Sequence, residues 1–145
     1  MLSDQIIARI KATAPALNSI VSGALELAAL LKAETLPQRL PAAYVIPLGI
    51  DAEPPALSAN VYSQSISRGF GVVILAAAAG DATGARSRPL LDQIEAELIA
   101  GLCGWEVPGA TGVLELRRSR LIGLDAGAVQ QQLDFSLSDF VRITA

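Results

Sequence analysis

The chain has 145 residues, of which 52% are hydrophobic and 17% charged, with 12 glycines and 8 prolines. Disordered chains show the reverse balance, and this length suits a single domain, residues 1–145, burying about 70% of the surface its unfolded chain exposes. A formal net charge of −3 supplies no basic surface to displace counterions from phosphates, so no sequence-specific nucleic-acid partner is expected.

The elements follow from periodicity. Leu2, Ile6, Ile7 and Ile10 recur at helical spacing and Pro15 ends the pattern, which predicts a short amphipathic helix over residues 4–13. Leu17–Ser22, with Ile20 and Val21 at its centre, reads as a small strand. Gly23 separates it from a second helix over Ala24–Ala33, carrying Leu25, Leu27, Leu30 and Leu31 and closed off by Pro37 and Pro41. Ala42–Leu48 reads as a buried strand in which Pro47 marks an edge position or the strand's end.

Residues 49–63 have no period and carry the Pro54-Pro55 pair, so a long irregular loop is expected there, with Asp51 and Glu53 in solvent. A strand follows from about Gln64 to Ala77. Ile66, Phe70, Val72 and Ile74 share one of its faces, and Ser65, Ser67, Gly69 and Gly71 the other. From Val72 onward both faces are apolar, so that half is expected to be covered on both sides. A second irregular stretch, Gly80–Arg86, leads to Ser87 as N-cap and Pro89 in the first turn of a helix. That helix places Leu91, Ile94, Leu98 and Leu102 on one stripe and stops at Gly104.

The last third reads as a hairpin of Val113–Leu124 and Ala128–Ile143 joined by Asp125-Ala126-Gly127. The class expected is α+β: a mainly antiparallel sheet with a C-terminal β-hairpin, packed against two to three helices.

No apolar run approaches the roughly 18 residues of a membrane span, and no basic segment leads into an apolar one at the start. The chain therefore reads as cytosolic, with no membrane partner. One cysteine, Cys103, excludes an intramolecular disulfide and is expected to be a small buried hydrophobe. The absence of histidine removes Ser-His and Cys-His nucleophiles, histidine bases and most transition-metal sites. Gly69-Phe70-Gly71 starts like a dinucleotide fingerprint but lies mid-strand, where glycine more often permits close backbone approach. Gly80–Ser87 lacks the lysine and spacing of a phosphate loop. Glu95 and Glu97 point in different directions on their helix. No catalytic residue, cofactor or metal is assigned, and the chain reads as non-enzymatic.

The remaining candidates are charged or polar side chains suited to protein contacts: Asp51, Glu53, Tyr62, Arg68, Arg86, Arg88, Arg117, Arg118 and Arg120. Simple alternation puts Arg118 and Arg120 on the face of Leu114, Leu116 and Ile122. Two readings stay open: solvated arginines where the strand outruns the core, or guanidinium forks meeting carboxylates on a neighbouring subunit.

The order of these elements resembles that of tail terminator proteins of tailed bacteriophages. The likeness is carried by Leu36-Pro37-Gln38-Arg39-Leu40-Pro41-Ala42-Ala43-Tyr44-Val45-Ile46-Pro47-Leu48-Gly49 and the acidic loop and long strand after it. It continues through Leu102-Cys103-Gly104-Trp105-Glu106-Val107-Pro108-Gly109-Ala110 and Gly123-Leu124-Asp125-Ala126-Gly127. The resemblance implies a virion protein of the tail that forms a ring, typically a hexamer, on the last ring of tail tube subunits. Such a ring stops polymerisation and presents a surface to the neck or head–tail connector protein, and contractile relatives also contact the sheath. Neither a neck or tail-completion adaptor nor a small ligand-binding domain is excluded by the residues themselves.

Overall fold

A computed structural model of the chain describes residues 2–35, 37, 39–77, 87–125 and 128–144. Helix α1 (Leu2–Thr13) buries Ile6 and Ile10 on its apolar stripe. Pro15 starts a turn of 3-10 helix (Pro15–Leu17), its fixed φ suiting a first helical position. The chain then forms a short strand, β1 (Val21–Gly23), and enters helix α2 (Ala24–Ala33). The Gly23 N–H donates to Glu26 Oε2 at 3.1 Å, which satisfies a donor that a helix start leaves open. The rest comprises β2 (Ala42–Ala52), β3 (Ala56–Ser58), β4 (Val61–Ala77), α3 (Ser87–Leu102), β5 (Leu114–Asp125) and β6 (Ala128–Thr144).

The strands form one six-stranded sheet in the order β1-β2-β4-β6-β5, with β3 taking over from β2 on the edge of β4. Only the β1–β2 pair is parallel, and β5–β6 is the C-terminal hairpin. The expected α+β class is what is found. The Gly80–Arg86 stretch and the Ala126-Gly127 turn lie outside the described residues.

Phe70 stands opposite Phe135 in the β4–β6 ladder, so by alternation Val72, Ile74, Leu133 and Leu137 share their face. Helices α1 and α3 close over it, bringing Ile6, Ile10, Leu91, Ile94, Leu98 and Leu102 into the same core. The other face presents Tyr44, Val73 and Leu75 to Leu27 and Leu30 of α2. The doubly apolar half of β4 is thus covered on both sides, each fully buried aliphatic side chain contributing about 1.5–3 kcal/mol.

The two helices of the main layer approach closely at Gly101. A Cβ there would meet Thr13 Cβ at 2.8 Å as well as the Thr13 hydroxyl. Gly101→Ala should therefore lower stability by about 1–3 kcal/mol, despite alanine's helix propensity gain of ~1 kcal/mol. Urea denaturation reads this as a lower midpoint. A midpoint at or above wild type would mean that α1 and α3 are free to separate.

Strand and helix lengths do not match, and this shapes the molecule. β4 has 17 residues and spans about 55 Å at ~3.3 Å per residue. α3 has 16 and spans only about 24 Å at ~1.5 Å per residue. The helices therefore cover one end of the sheet. β4 is buried from Phe70 to Ala76 but only partly so before Gly69, apart from Ile66. β2 is exposed from Pro47 onward and β6 is largely so from Ser138. The distal parts of β2, β4 and β6, together with β3, form a β-arm beyond the helices.

Three expectations are corrected. Residues 49–63 are not an irregular loop: β2 runs on to Ala52, and β3 returns through Ala59-Asn60 to β4. A register shift between Pro47 and Gly49, with Gly49 at φ 101°, interrupts the strand period, while the β4 backbone supplies the hydrogen bonds. Ala59 and Asn60, both at positive φ, make the tight turn. Cys103 is exposed rather than buried, because Leu102 takes the last core position of α3 and Gly104, at φ 76°, turns the chain away. The third correction concerns β5. Pro47 fits its prediction, lying beyond the end of β1 where β2 has a free edge.

Candidate functional site

Leu114 and Leu116 of β5 stand opposite Leu137 and Phe135 and pack on the core. The ladder then slips by one residue at Arg117, so Arg118 faces Asp134 and Arg120 faces Gln132. A one-residue slip exchanges the two faces of a strand. Arg118 and Arg120 therefore lie on the face away from α1 and α3, not on that of Leu114 and Leu116. Ser119 and Gln131 remain on the helical side, where both donate to Glu95 Oε2 of α3.

The arginines sit over a buried polar row. Gln132, Asp134 and Ser136 are each less than a tenth exposed. Arg118 Nε donates to Asp134 Oδ2 at 2.8 Å, Gln132 Nε2 donates to Asp134 Oδ1 at 2.7 Å, and Arg117 Nε donates to Ser136 Oγ at 2.7 Å. Gly71 makes room for this row, since a Cβ there would lie 3.1 Å from both Gln132 Nε2 and Ile46 Cγ1. The guanidinium side chains stay outside, Arg117 58% and Arg118 62% exposed.

Burial pushes the Asp134 carboxyl upward, but hydrogen bonds from Arg118 and Gln132 and the charges of Arg118 and Arg120 outweigh it and hold the group below its usual value. A carboxylate lowered in the folded state adds stability above its unfolded pKa, and that stability is lost as pH falls through the folded value. Asp134→Asn should accordingly flatten the loss of stability with falling pH below about pH 4. Thermal melts across that window check this, and a slope identical to wild type would contradict it.

The arm holds the other candidates. Asp51 faces Ser67 across the ladder and is exposed. The Glu53 N–H donates to Ser65 O at 2.9 Å, and its carbonyl accepts from Gln64 Nε2 at 2.7 Å. Tyr62 Oη donates to Gln64 Oε1 at 2.6 Å. Arg68 Nε lies 3.6 Å from Asp139, which also accepts from Thr111 Oγ1 at 3.2 Å. The structure thus brings Asp51, Glu53, Tyr62 and Arg68 together on the arm, and Arg117, Arg118 and Arg120 on β5. Arg88 stands apart, exposed at the start of α3, and Arg86 lies outside the described residues.

Sequence reasoning missed the arm's apolar side chains. Ile50, Leu57, Phe140 and Ile143 are all at least half exposed. Leu57, Val61, Tyr62 and Ile143 line an open, mostly apolar hollow of about 410 Å³ that also touches Ser58–Asn60. Their signal was available: Phe140 and Ile143 extend an apolar strand past the point where the helices end. Among the described residues no group of three or more His, Cys, Asp or Glu side chains could hold a metal ion, and no helix is long and apolar enough to cross a membrane.

Comparison with known families decides the class. The family model for phage tail terminator protein matches residues 2–144. The chain belongs to that family. Terminator-family chains are structural, tail-associated components of phage and phage-like virions. The fold is similar to that of a chain in the solved structure of the virion of a native gene transfer agent (GTA) particle, with a TM-score of 0.59 and 16% identity. That match covers 97% of this terminator-family chain and 95% of the other. No curated protein sequence matches it.

Proposed function

We propose that copies of this chain close into a hexameric ring on the last ring of tail tube subunits, ending tube polymerisation and offering the opposite surface to the neck or head–tail connector protein. In a contractile tail the same ring also touches sheath protein. The role is assembly, without catalysis or cofactor.

The observation that carries this reading, within a terminator-family chain, is the β-arm. It extends the sheet beyond any helical cover while exposing Ile50, Leu57, Phe140 and Ile143. Leu57, Tyr62 and Ile143, neighbours across β3, β4 and β6, form an apolar patch of the kind that marks an interaction site. Apolar side chains spread over two faces of an arm suit contact with more than one neighbour at once.

The test is tube length. Tail tube protein polymerised with increasing amounts of the chain should give tubes that stop lengthening and carry extra density at one end. An unchanged length distribution, with bare tube ends, would overturn the proposal.

A further inference from the structure

We infer that, in the ring proposed above and resting on that reading, β5 of one copy pairs edge to edge with the far end of β2 in the next, its arginines meeting Asp51 and Glu53. Both strands have an open edge among the described residues. β1 covers β2 only as far as Val45. β5 ends the sheet on the other side, where Gly104 and Trp105 bond to its backbone at Leu114. The charges on these two edges are complementary. Asp51 and Glu53 are exposed, two residues apart, and stand on the face of Ser67 and Ser65. Arg118 and Arg120 are exposed, also two apart, and stand on the face of Asp134 and Gln132, which the β4–β6 ladder makes the same face. Among the described residues Asp51, Glu53 and Arg120 are in no ion pair. Three strand spacings, about 14 Å of sheet, separate the two rows, so they cannot meet within one chain.

One register satisfies both edges and both faces. The Glu53 N–H points into the sheet, to Ser65 O, so by alternation Ile50 and Ala52 turn their backbone N–H and C=O groups to the open edge. Carried across β4 and β6, the same alternation turns the backbone of Arg118 and Arg120 inward and that of Ser119 and Leu121 outward. Setting Ser119 against Ala52 and Leu121 against Ile50 then places Arg118 opposite Glu53 and Arg120 opposite Asp51. On the other face it joins Leu121, 66% exposed, to Ile50, 55% exposed. A one-residue slip would send the two charge rows to opposite faces. Strand direction agrees as well. Three antiparallel pairings separate β2 from β5, so a copy turned about an axis along the strands brings its β2 antiparallel to β5, in the head-to-tail relation that a ring requires. Charged side chains and bulges ordinarily keep an edge strand from pairing, and β5 has both. The regular stretch between its bulges, Arg118–Leu121, admits the strand that answers with carboxylates in register.

The experiment uses the full chain in a Cys103→Ser background, alone and added to purified tail tubes, under mild oxidation. The chain carrying both Arg120→Cys and Asp51→Cys sets two thiols directly across the ladder, at a spacing that a disulfide bridges. It should give a series of covalent oligomers ending at a closed ring. Either cysteine alone should give none, and neither should Arg120→Cys with Ile50→Cys, whose side chains point to opposite faces. In parallel, Arg120→Glu should weaken ring formation about three- to tenfold, and Asp51→Arg in the same chain should restore it to within about twofold. Closed rings from wild type, with no covalent oligomers from the Arg120→Cys and Asp51→Cys chain and no effect of Arg120→Glu, would overturn this contact and leave the ring standing. Covalent oligomers without closed rings, even on tubes, would keep the contact and overturn the ring. Neither oligomers nor rings would overturn both.

Discussion

Phe135→Ala should lower the free energy of unfolding by about 3–5 kcal/mol. Phe135 is 2% exposed and heads the fully buried side chains by volume. It lies opposite Phe70 on one neighbouring strand and Leu116 on the other, beneath the layer of α1 and α3. The long β4–β6 and β5–β6 ladders hold the surrounding backbone, so the cavity cannot collapse and the full penalty is felt. Against a typical total of about 5–15 kcal/mol, this is enough to leave the variant close to unfolding at physiological temperature. Phe140, five residues along the same strand, is 50% exposed, and Phe140→Ala should cost no more than about 1 kcal/mol. Urea denaturation of both variants gives the comparison. Equal losses would contradict the division of β6 into a core half and an arm half.

Arg118→Glu and Arg120→Glu should behave differently, although the two residues are neighbours on one strand face. Arg118 is bonded to Asp134, which is nearly buried and also receives Gln132. A glutamate at 118 removes the guanidinium and sets a second carboxylate beside the first. Solvent screens part of this, because the Arg118 side chain is 62% exposed, so the expected loss is about 1–2 kcal/mol. Arg120 is exposed, and its influence on Asp134 is that of a nearby charge without a hydrogen bond. Arg120→Glu should change stability by less than about 0.5 kcal/mol. A weakened ring in Arg120→Glu therefore reports a contact between chains, whereas in Arg118→Glu it mixes contact with folding. Equal melting temperatures for the two variants would show that the Arg118–Asp134 bond carries no stability.

Much of this fold was legible because helix and strand periods are strong where the core is dense. Leu91, Ile94, Leu98 and Leu102 mark α3, and the doubly apolar run from Val72 correctly signals cover on both sides. The arm was not legible, for a physical reason. Outside the core nothing selects for alternation, so Ile50-Asp51-Ala52 and Ala56-Leu57-Ser58 look irregular although β4 holds them as strand through backbone hydrogen bonds. Bulges hide the rest. A single slip at Arg117 sends Arg118 and Arg120 to the face opposite the one that simple alternation gives, and no residue type near it announces the slip. Cys103 shows the limit of type statistics, since its position one residue past the last core leucine decides its exposure. Asp134 was visible only as one of the polar residues alternating in β6, and its role emerges from Gly71 on the neighbouring strand.

The most direct test of the central claim is to image tail tubes by negative stain with the chain added in excess, and to determine the copy number at their ends by mass measurement. The ring reading predicts a closed hexameric ring on one end of each tube and no copies along its length. Single copies scattered along the tube, or none at either end, would contradict it.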